Sequence, residues 1–225
     1  TQLIVEADYL YHNFTPDFGI GSVTDKTTGV SRLATEVDRR SFLGANWQYQ
    51  TNQQATTDVV LNHQLNSKWS LNAVASYQNY TKDYFSSERV QWIYDTKDAT
   101  VDPNRLSWKR PFGRTYNEQN YTSAQVNING EFNTGKISHK VLIGADADYG
   151  QADAYAYTIA APRNLLYLDD PSTWGSIDMP NSTLSTRNRI NTRRIGIYAQ
   201  DYISLTKQLK VIAGFAWTMM SLGGI

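Results

Sequence analysis

Apolar and polar side chains alternate with a period of two along several stretches of the sequence, the pattern of β-strands with one apolar face. The clearest stretches run over residues 3–12, 69–81, 137–149 and 209–217. Their apolar positions are Leu3, Val5, Ala7, Tyr9, Tyr11, Trp69, Leu71, Ala73, Ala75, Tyr77, Ile137, Val141, Ile143, Ala145, Ala147, Tyr149, Leu209, Val211, Ala213, Phe215 and Trp217. Ile4, Leu10 and Val74 break the alternation. The pattern predicts an all-β chain.

The connections between these stretches are of two lengths. Short turns at 65–68, 133–136 and 205–208 each join two strand-like stretches as a hairpin, which predicts antiparallel pairing. Long polar stretches rich in aromatic residues lie between the hairpins, over 14–52, 82–117 and 151–187. Compact soluble domains rarely contain such connections, whereas outer-membrane barrels have short periplasmic turns and long extracellular loops. Strands of about 12 to 16 residues are also long enough to cross a bilayer at a tilt.

Composition excludes several other classes of protein. Lys+Arg and Asp+Glu both total 21, so the chain has no excess positive charge with which to bind nucleic acid. The absence of cysteine excludes a disulfide scaffold and a thiolate metal site. No apolar run approaches the ~20 residues of a membrane helix. The mean hydropathy of −0.51 fits a soluble protein and also a barrel whose strands alternate apolar and polar residues.

Tyrosine and tryptophan recur near the predicted strand ends. Barrels that cross the outer membrane carry such residues in girdles at both lipid interfaces. The aromatic residues in question are Tyr9, Tyr11, Trp69, Tyr77, Tyr121, Tyr149 and Trp217. Their recurrence favours a transmembrane β-barrel, although any one of them could equally pack in a core.

Three segments in order resemble the TonB-dependent siderophore receptors of the bacterial outer membrane. The first, 63–71, is similar to a hairpin of that family in which a strand ends in His63 and Trp69 opens the next strand. The second, 132–146, resembles the following hairpin, whose returning strand ends in Gly144-x-Asp146. The third, 196–214, is similar to the family's Gly-x-Tyr-x-Gln-Asp strand, short turn and aliphatic strand ending in Gly. After Gly214 the chain departs from the family pattern, and 218–225 match none of it.

The resemblance implies a fold and a place in a larger protein. Such receptors have a barrel of about 22 strands closed by an N-terminal plug, and this sequence has room for about seven strands. We therefore expect residues 1–225 to be part of a single β-barrel domain, with the plug domain and the C-terminal strands absent. The resemblance also implies a multi-pass location in the outer membrane, contact with its lipid and lipopolysaccharide, and energy from the TonB complex of the inner membrane through the missing N-terminal part.

The long connections contain candidate ligand-binding residues. A ferric siderophore is a bulky and often anionic chelate, which aromatic faces and planar guanidinium groups are suited to hold. The candidates are Trp92, Tyr94, Arg105, Trp108, Arg110, Arg114, Tyr155, Tyr157, Tyr167 and Trp174. Their alternative role is to pack the loops together or to meet lipopolysaccharide. Iron arrives already chelated, so we expect neither a protein metal ligand nor a cofactor.

No pattern of catalytic residues stands out. His12, His63 and His139 lie on separate strands without metal-ligand spacing, and Asp169-Asp170 is predicted to be solvated loop charge. A small outer-membrane barrel enzyme, such as a protease or lipid hydrolase, is the alternative function. It would require a compact acid–base group of residues, which the sequence does not show. A soluble β-sandwich is a third possibility, but its short, evenly spaced strands are missing.

Overall fold

The computed structural model describes residues 1–25, 28–93, 105–160 and 164–224. These residues form twelve strands and one short 3₁₀ helix. In chain order they are β1 (Gln2–Phe14), β2 (Ser22–Thr24), β3 (Ser31–Leu33), β4 (Tyr49–Gln64), β5 (Trp69–Ser87), β6 (Gln91–Trp92), β7 (Ser107–Lys109), β8 (Phe112–Thr134), β9 (Ile137–Ile159), β10 (Leu165–Tyr167), η1 (Pro171–Trp174), β11 (Ser182–Ser204) and β12 (Lys210–Gly224). None of the helices described here is long and apolar enough to cross a membrane.

The long strands form a single antiparallel sheet in the order β1-β4-β5-β8-β9-β11-β12. Each strand pairs with the next long strand along the chain, so the sheet is an up-and-down meander. It has seven strands in the described residues, which confirms the predicted all-β antiparallel class and the predicted number of strands. Among the residues that the structure describes, the sheet does not close on itself, because β1 and β12 each pair on one side only.

The three predicted hairpin turns are confirmed, and each turn has a local stabilising feature. The Asn66 side chain accepts a hydrogen bond from the backbone nitrogen of Trp69 at 3.1 Å. The hydroxyl of Thr206 accepts one from the backbone nitrogen of Leu209 at 2.9 Å. Gly135 adopts a φ of 65°, which a residue without a Cβ reaches at little cost. Polar turn residues and glycine therefore fix the strand register at this edge of the sheet.

The long connections are shorter than the sequence predicts, because the strands extend further into them. The strands of the main sheet have 13 to 23 residues, and the connections shrink to 15–48, 88–111 and 160–181. Strands β8 and β9 remain paired as far as Thr115 and Ala156. The predicted boundaries were wrong because polar residues occur on both faces of the strand ends, so the alternation of apolar and polar residues disappears there while the backbone hydrogen bonds continue.

The register brings the apolar positions of all seven strands together on one face. One row across the sheet consists of Leu3, Leu61, Ala73, Val126, Ala145, Ile197 and Trp217. The larger side chains of this face are exposed, with Leu3 at 64% and Trp217 at 50% of full accessibility. The adjacent rows add Val59, Ile143, Ile195, Phe215 and Met219. We call this set the apolar band.

The opposite face carries polar side chains that bond across the strands. The hydroxyl of Tyr198 donates to the side-chain oxygen of Asn127 and accepts from the Gln125 amide, both at 2.6 Å. Its ring lies over Gly144, where a Cβ would come within 2.3 Å of the ring carbons. A side chain at position 144 would therefore displace Tyr198.

The aromatic residues divide between the two faces. Tyr9, Tyr11, Tyr77 and Tyr149 lie in the rows of the apolar face on the side of the long connections. Tyr121 pairs with Gly150 and lies on the polar face, so it does not belong to a girdle. Tyr9, Tyr11, Tyr77 and Tyr149 thus share the face of the apolar band, as a girdle requires, and the girdle itself stays a prediction.

The long connections build a separate hydrophobic core. Strands β6, β7 and β10 form a small sheet, and β2 pairs with β3. Trp108 and Leu166 are fully buried at the centre of a cluster that also contains Val23, Ala34, Val37, Leu43, Val90 and Leu168. These residues come from all three connections, so the connections pack into one body, here called the loop cluster.

Candidate functional site

The ten predicted ligand-binding residues occupy three different environments. Tyr94 lies outside the described residues, and Trp92 is placed in β6, opposite Trp108 in the register. The other residues are divided between the interior of the loop cluster, its surface and the extended ends of the long strands. The structure therefore does not bring all of them to one place.

Trp108 and Arg110 lie inside the loop cluster. The indole nitrogen of Trp108 donates to the Ser22 carbonyl at 3.0 Å. Arg110 is 3% exposed, and its guanidinium donates to the carbonyls of Trp174 and Gly175 at 3.0 and 3.1 Å. Burial lowers the pKa of Arg110. In this conformation both side chains connect segments of the loop cluster and offer no surface to a ligand.

Arg105 and Tyr167 form a surface pair on the loop cluster. The Arg105 guanidinium lies 3.9 Å from the centre of the Tyr167 ring. It also donates to Asp169 at 2.7 Å and lies 3.6 Å from Asp170. Trp174 adjoins this group, because its indole nitrogen donates to the Tyr167 carbonyl at 2.7 Å. The structure thus brings together three of the predicted residues.

The two aspartates beside Arg105 are more than solvated loop charge. Hydrogen bonding to Arg105 lowers the pKa of Asp169. Asp170 accepts from the backbone nitrogen of Ser172 at 3.2 Å and so caps η1. Hydrogen bonding to the Ser172 hydroxyl lowers the pKa of Asp170. The two aspartates therefore hold Arg105 in place, and Asp170 also forms the N-cap of the short helix.

Arg114, Tyr155 and Tyr157 belong to extended strand ends and not to loops, which corrects their predicted location. Arg114 bonds Asp83 on the neighbouring strand, and its guanidinium lies 4.8 Å from the Tyr157 ring. The rings of Tyr155 and Tyr116 meet at 5.4 Å. By register these residues share the face of the apolar band and lie beyond it.

The polar face carries residues that were not among the predicted ligand-binding residues. His12 and Phe14 stack with ring centres 4.7 Å apart on β1. The Tyr80 hydroxyl donates to Asn52 at 3.1 Å, and Lys82 lies 5.2 Å from the centre of the adjacent Tyr84 ring. If the period-two alternation of side chains is continued along each strand beyond its apolar positions, it assigns these residues to the polar face, near the long connections.

The described residues contain no group of three or more His, Asp or Glu side chains that could hold a metal ion. His63 bonds the Thr1 hydroxyl at 2.5 Å. His139 bonds Asp201 across the strands at 2.7 Å and stacks on Phe132 with ring centres 4.7 Å apart. These contacts join neighbouring strands.

Comparison with known proteins identifies the family. A family model described as "TonB dependent receptor-like, beta-barrel" matches residues 1–223, which is nearly the whole chain. The chain belongs to this family. Its members are outer-membrane receptors and transporters and not enzymes, so the alternative of a small barrel enzyme is withdrawn. The apolar band of this TonB-dependent receptor barrel therefore faces lipid, and the polar face lines the barrel interior.

Individual proteins that are similar to this chain agree with the family assignment. The chain is 23% identical to the ferric-pyoverdine M114 receptor PbuA of Pseudomonas sp. (strain M114) over 195 residues. It has the fold of the ferripyoverdine receptor of Pseudomonas aeruginosa, with a TM-score of 0.78 and 20% identity over 99% of this chain. The ferric-catecholate import receptor Fiu of E. coli K12 gives a TM-score of 0.76 and 19% identity over 99% of this chain.

These relatives are much longer than the chain. The PbuA match covers 83% of this chain and 23% of that receptor. The chain corresponds to 28% of the P. aeruginosa receptor and 35% of Fiu. It thus spans about a quarter to a third of the proteins that it resembles.

Proposed function

We propose that the protein containing this chain is an outer-membrane receptor that binds a ferric siderophore outside the cell and imports it. The match of nearly the whole chain to the receptor barrel family carries this proposal. The names of similar proteins refer to ferric pyoverdine or ferric catecholates, which supports a siderophore as the cargo. Energy comes from TonB acting on parts of the protein beyond this chain.

The proposed contact surface includes the exposed part of the loop cluster. Arg105 is 30% exposed, is held in place by Asp169 and lies against Tyr167. A fixed guanidinium beside an aromatic ring can hold an anionic, planar chelating group. Tyr80 and Lys82 lie on the polar face of β5 toward the connection 88–111, and we propose that they add contacts inside the barrel. The iron is cargo that arrives chelated, so the site needs neither a protein ligand to the metal nor a cofactor.

The binding part of the proposal is tested by titrating the intact receptor with ferric pyoverdine and with a ferric catecholate. We expect saturable binding of one of them, and an increase in Kd of about ten-fold for Arg105→Gln, because a charge-assisted contact is lost. Trp92→Ala and Tyr94→Ala test the remaining loop candidates in the same assay. Arg32→Gln is the matched control, because Arg32 is also an exposed loop arginine paired with a carboxylate, that of Glu36. Absence of binding to both chelates contradicts the proposal, and an equal loss in the control removes Arg105 from the site.

The transport part is tested with radioactive ferric siderophore in cells with and without TonB. Cells that lack TonB should bind the ligand at the surface and fail to accumulate iron. Accumulation that is independent of TonB would contradict energisation by that complex.

A further inference from the structure

Arg110 places a positive charge inside the loop cluster. The residue follows β7 directly and is 3% exposed. A guanidinium stays protonated at any physiological pH, so its burial cannot be relieved by loss of the proton, as burial of a lysine can. A buried ion without a partner of opposite charge is strongly destabilising. Arg110 therefore requires a negative charge close to it.

The described part of the chain does not supply this negative charge. The two terminal nitrogens of Arg110 donate to the carbonyls of Gly175 and Trp174, which are neutral groups. No carboxylate within residues 1–25, 28–93, 105–160 and 164–224 forms a salt bridge with Arg110. Burial is the cause of its lowered pKa. Carbonyl dipoles solvate the guanidinium and leave its positive charge without a counter-charge.

Two buried donors at this point have no acceptor among the residues that the structure describes. They are Nε of Arg110 and Nδ2 of Asn164. The backbone nitrogen of Arg110 donates to the Asn164 carbonyl at 3.3 Å, which continues the pairing of β7 with β10 by one residue. Residues paired in this way have Cα atoms about 5.5 Å apart and side chains on the same face. The guanidinium and the carboxamide thus belong to one cross-strand pair.

We infer that Arg110 and Asn164 bind one small monovalent anion, such as chloride, inside the loop cluster. Nε of Arg110 and Nδ2 of Asn164 donate to the anion, and its charge balances that of the guanidinium. A divalent anion would replace one uncompensated buried charge with another of opposite sign. A ferric siderophore is too large for this position, since Arg110 is buried and its terminal nitrogens are bonded to Trp174 and Gly175.

The anion has a structural role that is independent of the proposed siderophore site. Arg110 belongs to the connection 88–111, and Asn164, Trp174 and Gly175 belong to the connection 160–181. An anion shared by Arg110 and Asn164 therefore joins the two connections. A ligand that binds only the folded state stabilises it, so the stability of the loop cluster should depend on the anion in solution.

The first test compares hydrogen exchange of the intact receptor in potassium chloride and in potassium gluconate at equal ionic strength, in a non-ionic detergent. Exchange in 164–175 should be about four-fold slower in about 300 mM chloride if the Kd is about 100 mM, because the stabilisation factor is 1 + [L]/Kd. Exchange in β8 and β9 should be the same in both salts, which separates binding from a general salt effect. Equal exchange of 164–175 in the two salts overturns the site.

Asn164→Asp supplies a carboxylate of the protein itself in place of the anion. Exchange of 164–175 in gluconate should then be as slow as that of the native receptor in chloride, and the chloride effect should disappear. Asn181→Asp is the matched control, because Asn181 is an exposed asparagine of the same connection, and it should keep the full chloride effect. An undiminished chloride effect in Asn164→Asp contradicts the assignment to this pair.

Two further measurements identify the residue and the ion. Arg110→Met should abolish the chloride effect, and Asn164→Asp keeps the test decisive if loss of the bonds to Trp174 and Gly175 impairs folding. A crystal of the intact receptor soaked in bromide should show an anomalous-scattering peak within hydrogen-bond distance of Arg110 Nε. A water molecule or a carboxylate of the protein at that position, without such a peak, overturns the proposal.

Discussion

In the apolar band of the seven-stranded sheet the large side chains are mostly exposed, whereas in the loop cluster they are buried. Ile197 on β11 is 44% exposed and Trp108 in the loop cluster is 0% exposed. The apolar band meets lipid, so the sheet depends on its backbone ladder and on the bilayer. The loop cluster lies in water and depends on the hydrophobic effect. One region of the chain thus folds in contact with lipid, where apolar side chains are exposed, and the other folds in water, where apolar side chains are buried.

The strongest test of this difference is Trp108→Ala in the intact receptor. Removing a fully buried tryptophan should reduce the free energy of unfolding of the loop cluster by about 3 to 5 kcal/mol. Hydrogen exchange should accelerate in 15–25 and 164–175 and stay unchanged in β8 and β9. Leu33→Ala is the control, since Leu33 belongs to the same connections and is 82% exposed. Equal loss of protection in the main sheet would show that the two regions are one cooperative unit.

A charge in the apolar band should destabilise the sheet and leave the loop cluster intact. Ile197→Arg places a guanidinium in the bilayer and should lower the free energy of unfolding by about 2 to 4 kcal/mol. Gln200→Arg is the control, because Gln200 lies on the same strand, is exposed and faces the interior. The measurement is a denaturant titration of the receptor in lipid vesicles. If both variants lose the same stability, the assignment of the two faces is wrong.

The smallest effect concerns the surface of the loop cluster. Hydrogen bonds from Arg105 lower the pKa of Asp169. The ion pair therefore stabilises the folded state at any pH above the ordinary carboxylate pKa. This stabilisation is lost as the pH falls through the lowered pKa of Asp169. Hydrogen exchange in 164–175, corrected for its intrinsic rate, should therefore increase between pH 7 and about pH 3. Asp169→Asn should remove that part of the pH dependence. An identical pH response in the variant would exclude this ion pair as the cause.

The hairpins and the apolar band could be predicted because they depend on local chemistry. Asn66, Gly135 and Thr206 specify turns through their own side chains or backbone freedom. Alternating apolar residues specify a face wherever one side of a strand meets lipid. The strand ends beyond the membrane were not predictable in this way, because no apolar face marks them.

The candidate site was predicted less completely, since residue type does not reveal direction or burial. Arg105, Tyr167 and Trp174 are brought together, but Trp108 and Arg110 face the loop core. Arg114, Tyr155 and Tyr157 lie on the lipid-facing side because of the strand register. Whether these residues contact a siderophore stays a prediction.

The sequence by itself determined that this chain is an antiparallel β-structure with one apolar face, short turns and long connections, because these properties follow from period and turn chemistry. Only the tertiary structure decided which arginines and aromatic residues share a surface. Arg187 and Arg189 lie 34 and 36 residues after Asp153 in the sequence, on the neighbouring strand, and their contact with it depends on register. Local patterns specify strands and faces, whereas long-range pairing specifies which side chains meet.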